Sequence, residues 1–223
     1  MVTYVHVPCQ VRRIGGGGED ASLRGSCVIS KFSDNATKEP TLDQPSPIDL
    51  YRRATQRCIA VVEGIEPSQL DDPTPCSEWN VQQLLDHLVG GTAYLRTASG
   101  DEVAPPEGAA PGDLRSGVDA CLARFAEPGV LDRTCASPLG FEWTVGQAVA
   151  GTFMDVLIHT WDLAAATGQD STLDAELVAA CAAMFLPDMP ENGRAAGLIG
   201  PAVEVGADAT PQQILLGALG RQG

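Results

Sequence analysis

Apolar side chains recur at helical spacing along most of the chain beyond residue 44. In residues 81–89 they follow the order i, i+3, i+4, i+7, i+8, which places them on one face of a helix. Asn80 precedes this stripe and Gln83 stands three positions later, the pattern of a capping box. The stripe therefore predicts a helix that starts after Asn80 and packs through Val81, Leu84, Leu85, Leu88 and Val89.

Other helices are predicted from the same kind of periodicity and from residues that favour helix ends. Ser46 and Pro47 open a first helix that reaches about Gly64, because proline suits the first helical position. Further helices are predicted over about 114–126, from the Thr144 cap to about Thr167 before Gly168, over about 172–186, and from the start signal Thr210, Pro211 and Gln213. A hairpin around 138–140 and an extended segment at 202–205 are the other predicted elements.

Helices on short connections predict an all-α fold, an up-and-down four-helix bundle with a short C-terminal extension, over residues 45–223. Residues 1–44 differ, since they contain a four-glycine run at 15–18 and no helical or strand period. We predict that they form a disordered N-terminal extension or are upstream sequence from a misplaced start.

Charge is distributed unevenly. The formal net charge is −15, and after residue 44 the chain has 9 arginines, no lysine and 24 acidic residues. Such a surface repels nucleic acids and anionic membranes, which are bound through basic patches. Neither is expected as a partner.

The cysteine content and the hydropathy of the chain indicate where in the cell the protein is located. The chain has seven cysteines, an odd number without a CxxC pair, which predicts free thiols in a reducing cytosol. No apolar run approaches the ~18 residues of a membrane-spanning helix, and the first residues lack the apolar region of a signal peptide. The predicted location is cytoplasmic.

The three histidines of the chain include two on predicted helices. His87 lies beside the apolar stripe of its helix, and Asp155 and His159 stand at i and i+4 on another. That spacing puts two side chains on one face with Cβ atoms about 5–6 Å apart. Two imidazoles and one carboxylate that leave coordination positions open are typical of a working metal site. A core histidine and a carboxylate paired with an arginine would have the same spacing, so both interpretations stay open.

Asp162 and Cys76 are secondary candidates. Asp162 shares the face of Asp155 and His159, where it could orient a ligand histidine, act as a general base, or be a surface carboxylate. It is the candidate catalytic residue. Cys76 could supply a thiolate, but a buried or inert loop cysteine is the favoured interpretation, because a reactive cysteine needs a specific electropositive setting.

Two motifs together carry a family resemblance. PTPCSEWNV at 73–81 runs into LLDHLVGG at 84–91, and DVLIHTWDLA occupies 155–164. With GPAVEV at 200–205, they resemble the actinobacterial metal-binding branch of the DinB-like superfamily, related to the mycothiol-dependent maleylpyruvate isomerases. The resemblance extends from about Pro47 to Arg221.

The resemblance implies a four-helix bundle that binds a divalent metal, typically zinc, with Ni²⁺ or Fe²⁺ as alternatives. The ligand positions fall on His87, Asp155 and His159. The related isomerases usually have glutamate where this chain has Asp155, which is one methylene shorter. They also have a separate C-terminal domain, for which the residues after Thr167 are too few.

The resulting functional hypothesis is a thiol-dependent transferase or isomerase. Mycothiol is the expected cosubstrate, and its thiolate would attack a small electrophilic molecule. Two alternatives are a metal-dependent hydrolase and a metal-binding helical module without catalytic activity.

Overall fold

The computed structural model describes residues 45–77, 79–104, 108–138, 140–186 and 188–223. The predicted N-terminal extension, residues 1–44, lies outside the described residues. Among the described helices, none combines the length and the apolar character needed to cross a membrane.

Helices make up most of the described chain, which confirms the predicted all-α class. In chain order the helices are α1 (Pro47–Glu63), α2 (Val81–Ala98), α3 (Pro111–Phe125), α4 (Val145–Ala166), α5 (Ala175–Phe185), α6 (Met189–Ala195) and α7 (Pro211–Ala218). A short 3₁₀ turn, Pro67–Gln69, follows α1, and the strands β1 (Thr134–Ala136) and β2 (Glu142–Thr144) precede α4.

The starts of α2 and α4 are fixed by the predicted capping boxes. The Asn80 side chain accepts a hydrogen bond from the backbone N–H of Gln83 at 2.9 Å, and the Gln83 side chain accepts one from the backbone N–H of Asn80 at 3.0 Å. Thr144 and Gln147 repeat this exchange before α4. Each box satisfies N–H groups that a helix start otherwise leaves without partners.

Four helices form the bundle. Helix α1 packs against α3 and α4, and α2 packs against the same two helices, so α1 and α2 occupy opposite corners. The interior is filled by buried apolar residues that include Tyr51, Cys58, Leu84, Leu85, Leu95, Val118, Val149, Phe153 and Leu157. Helices α2 and α4, which carry the candidate ligands, are therefore direct neighbours.

The predicted hairpin is confirmed as β1 and β2, which pair antiparallel with Cys135 opposite Trp143. The Trp143 indole N–H donates to the Tyr94 hydroxyl at 2.7 Å, and that hydroxyl donates to the carbonyl of Ala136 at 2.9 Å. Because Tyr94 lies on α2 and the hairpin leads directly into α4, these bonds hold the two helices in register.

The C-terminal part departs from the sequence expectations in two places. Helix α6 was not predicted, since a seven-residue helix with Pro190 and Gly193 has no clear periodicity. The predicted extended segment at 202–205 belongs to no sheet, because the described chain offers it no partner strand. It runs beside α7 instead, where the Val203 N–H donates to the carbonyl of Gly217 at 2.9 Å.

Candidate metal centre

The packing of α2 on α4 brings His87, Asp155 and His159 together. Asp155 lies between the two imidazoles, with His87 Nε2 at 2.9 Å from Oδ2 and His159 Nε2 at 3.3 Å from Oδ1. One ligand atom from each of the three side chains lies within 4.8 Å of the others. Residues 68 positions apart in sequence thus share one cluster.

The cluster is enclosed on the imidazole side. The side chains of His87 and His159 are 8% and 7% exposed, whereas that of Asp155 is 30% exposed. The Trp79 ring packs against both imidazoles, with its centroid 4.6 Å from that of His87 and 5.8 Å from that of His159. Solvent therefore reaches the cluster at the carboxylate.

Asp155 and His159 shift each other's pKa, because their charges are of opposite sign. Partial burial raises the pKa of Asp155, but the two histidines lower it more, and that pKa lies well below its usual range. Burial lowers the pKa of His159, but Asp155 and Asp162 outweigh that effect and raise it to about 9. The surroundings of His159 therefore favour a positive charge between two carboxylates.

Asp162 is completely buried behind His159. It accepts a hydrogen bond from His159 Nδ1 at 2.9 Å, and its two oxygens lie 2.9 Å from Nη2 and 3.3 Å from Nε of Arg221. Burial raises the pKa of Asp162, whereas Arg221 and His159 lower it below its usual value. This geometry fits the orienting role considered for Asp162, because its Oδ2 atom bonds His159 Nδ1 while Arg221 bonds both of its oxygens.

Arg221 lies next to the candidate site, and the sequence analysis does not single it out. An arginine close to a helix end normally suggests a solvated side chain, yet this one is only 7% exposed. The one signal in the sequence is the Leu-Gly pair before it, which marks a helix C-terminus and a change of chain direction.

The cysteines correct one expectation. Cys76 is disulfide-bonded, so the prediction of seven free thiols is wrong for this residue. Cys76, His159 and Asp162 also form a compact group. However, a disulfide sulfur offers no thiolate and Asp162 is paired with Arg221, so His87, Asp155 and His159 are the better set of ligands.

The free cysteines among the described residues are Cys58, Cys121, Cys135 and Cys181. Burial raises the pKa of Cys58, Cys121 and Cys181 to about 12 each, and it also raises the pKa of Cys135. A thiol with a raised pKa is a poor nucleophile at neutral pH. None of these four side chains is therefore poised to act as a thiolate.

The donor set fits a divalent metal ion. An ionised Asp162 can only accept, so His159 Nδ1 carries the proton and Nε2 is the ring nitrogen that faces Asp155. A carboxylate that fixes a histidine in this way is the usual outer partner of a metal-ligating imidazole. Two imidazole nitrogens and one carboxylate oxygen are ligands that zinc accepts while a coordination position stays open.

Comparison with known proteins gives a family match and two relatives. A family model described as the mycothiol maleylpyruvate isomerase N-terminal domain matches residues 51–164. Uncharacterized proteins from two strains of Mycobacterium tuberculosis are each 37% identical over 157 residues, which is 66% of this chain and 84% of the relative. No solved structure matches. The matched region includes the three candidate ligands and Asp162, whereas Arg221 lies beyond it.

Proposed function

Because the chain belongs to the mycothiol maleylpyruvate isomerase N-terminal domain family, we propose that it is a divalent-metal enzyme that uses a low-molecular-weight thiol. Mycothiol is the thiol that the family description suggests. The observation that carries the proposal is the compact cluster of two imidazoles and one carboxylate at the interface of α2 and α4.

In this proposal His87, Asp155 and His159 hold the ion, which is Zn²⁺ or, in its place, Ni²⁺ or Fe²⁺. A bound metal ion lowers the pKa of a coordinating thiol, so that the thiolate forms at neutral pH. The exposed edge of Asp155 is the side from which a thiol and a substrate reach the centre. Trp79 excludes water from the opposite side.

The protein's own residues prepare the site. Asp162 keeps the His159 proton on Nδ1 and leaves Nε2 facing the cluster. The free cysteines of the described chain are protonated at neutral pH, which favours a thiol supplied from outside. The thiol loses its proton to solvent, and its sulfur forms a bond to an electrophilic carbon of a carbon–carbon double bond in the substrate as the π electron pair moves to the neighbouring atom. If that atom takes up a proton, the S–C bond is kept and the product is a thiol adduct. If the chain rotates about the opened bond and the pair returns, the double bond forms again, the thiolate leaves and the substrate has isomerised.

Activity assays with purified protein test the proposal. Protein reconstituted with zinc is incubated with mycothiol and a panel of small electrophiles, maleylpyruvate included, and both thiol and electrophile are followed. We expect turnover that requires metal and thiol and is lost in His87→Ala and His159→Ala. Arg52→Ala, which removes an exposed ion pair with Asp49 on α1, is the control that keeps activity.

Other outcomes would contradict the proposal. Turnover without added thiol would favour a metal-dependent hydrolase. A bound metal with no exchangeable position and no turnover would favour a helical module without catalytic activity. Undiminished turnover in His87→Ala would show that the cluster takes no part in the reaction.

A further inference from the structure

A buried arginine closes the cluster from behind. The Arg221 guanidinium bonds both oxygens of Asp162, donates to the carbonyl of Leu219 at 2.8 Å, and lies 3.8 Å from the sulfur of Cys76. The positive charge of Arg221 is therefore paired with the Asp162 carboxylate inside the protein and does not face solvent. Since a buried cation is costly unless it is paired and hydrogen-bonded, this set of contacts requires a specific arrangement of the C-terminal segment.

The backbone at the end of α7 provides that arrangement. The Gly220 N–H donates to the carbonyl of Gly217 at 3.1 Å, and the Arg221 N–H donates to the carbonyl of Leu216 at 2.8 Å. These two bonds form a Schellman motif, which requires a left-handed residue after the helix. Gly220 supplies it with φ of +83°. The chain then reverses direction and Arg221 points into the protein.

Asp162 connects this arginine to the cluster. Its Oδ2 atom accepts from both Arg221 Nη2 and His159 Nδ1, each at 2.9 Å. Loss of the guanidinium would leave a fully buried carboxylate with His159 as its remaining charged partner, which is unfavourable. The carboxylate would then no longer be held in one orientation, and the His159 ring would lose its fixed acceptor.

We propose that Arg221 is a positioning residue for the metal centre, because it holds Asp162 in the orientation that fixes the His159 ring. The chain of contacts runs from the end of α7 through α4 to the cluster. The part that concerns metal affinity rests on the proposed function. The part that concerns the His159 ring is a property of the metal-free protein and is tested separately.

Arg221→Gln is the first variant, and Arg194→Gln is its matched control. Arg194 also donates to the C-terminal segment, at the carbonyl of Ala218, but it has no contact with Asp162. Arg221→Lys is the conservative variant. A lysine keeps the positive charge but cannot bond two carboxylate oxygens at once as a guanidinium does. Arg221→Lys should therefore retain more zinc affinity than Arg221→Gln, but less than the wild type.

Two readouts are measured on each protein. Zinc affinity, measured by competition with a chelator, should fall about 10- to 100-fold in Arg221→Gln, the usual cost of losing an outer partner of a metal ligand. In the metal-free protein, ¹H–¹⁵N spectra should show a slowly exchanging Nδ1 proton on His159 that is lost in Arg221→Gln. Both properties should stay unchanged in Arg194→Gln.

The outcomes separate the two proposals. Arg221→Gln with unchanged zinc affinity and an unchanged His159 signal would overturn the positioning role. Equal losses in Arg194→Gln would also overturn it, because they would indicate general loosening of the C-terminal segment. If wild-type protein binds no metal, the proposed function fails, while the His159 signal in the metal-free protein still decides the role of Arg221.

Discussion

Asp155 contacts both imidazoles through different oxygens, and it is also the least buried member of the cluster. In the metal-free protein it balances charge on His159. With a metal ion bound it would be a ligand at the open edge. One carboxylate would thus serve both forms, and we expect its negative charge to contribute more to metal binding than its ability to accept hydrogen bonds.

Asp155→Asn tests this view at a single residue. Asparagine keeps the size and an acceptor oxygen but loses the negative charge, so zinc affinity should fall by more than the roughly 10- to 100-fold cost of losing an outer contact. Asp155→Glu should still bind about one ion per chain, since glutamate is an equally suitable ligand. Isothermal titration calorimetry measures both. Equal affinities of Asp155→Asn and wild type would contradict the ligand assignment.

The buried thiols give a second prediction at the residue scale. Cys58, Cys121 and Cys181 have pKa values of about 12, so thiolate is scarce at neutral pH. Native protein treated with iodoacetamide should therefore stay unmodified at these positions, and protein unfolded in guanidinium should react at all three. Mass spectrometry of the peptides reads the result. Rapid alkylation of native Cys58 would show that a thiolate from the chain itself is available near Thr160.

At the scale of elements, the approach of α3 to α2 is limited by Gly117. A Cβ at this position would lie 2.1 Å from the Thr92 Oγ1 atom and 2.8 Å from its Cβ. Rotation of the threonine does not move its Cβ, so the helices would have to separate. Gly112 lies in the same helix with nothing within 4 Å of an added Cβ.

Gly117→Ala should therefore destabilise the protein, whereas Gly112→Ala should not. Overpacking should lower the free energy of unfolding of Gly117→Ala by about 1–3 kcal/mol. Gly112→Ala should be neutral or stabilising by up to about 1 kcal/mol, because alanine favours a helix over glycine. Urea unfolding followed by circular dichroism compares the two. If the free energy of unfolding of Gly117→Ala equals that of the wild type, α2 and α3 pack less closely than described.

The sequence predicts the two helices that carry the candidate ligands, but it does not predict the residues that pack behind those ligands. The starts of α2 and α4 were predicted because capping boxes are local signals, and the i, i+4 spacing of Asp155 and His159 is local as well. The bond between Asp162 and Arg221 joins residues 59 positions apart. No local pattern reports such a contact, so the sequence alone does not predict that Arg221 is buried against Asp162.

At the scale of the whole molecule, the cluster joins α2 to α4 and, through Asp162 and Arg221, α4 to the C-terminal segment. An ion bound there would stabilise the folded chain as a whole, because the unfolded chain offers no preformed site. The predicted four-helix core corresponds to α1–α4, and the predicted C-terminal extension corresponds to the chain that follows α4. The order of the helices around the bundle depends on side-chain packing, which the periodicity alone did not specify.

Metal addition should therefore raise the melting temperature. At a free zinc concentration of about 100 times Kd, the stabilisation is about 2.7 kcal/mol. For a domain of this size each kcal/mol shifts the melting temperature by about 2–4 °C, so a rise of about 5–10 °C is expected. A chelator should reverse it, and His159→Ala should show none. Differential scanning calorimetry measures the shift, and an equal rise in His159→Ala would place the stabilising ion elsewhere.

Metal content tests the central claim most directly. Tag-free wild-type protein, His87→Ala and His159→Ala are reconstituted side by side with zinc, nickel and iron, passed through a desalting column, and measured by inductively coupled plasma mass spectrometry. We predict about one ion per chain in the wild type and almost none in either variant. A wild type without metal after every reconstitution, or variants that keep the full amount, would contradict the metal centre.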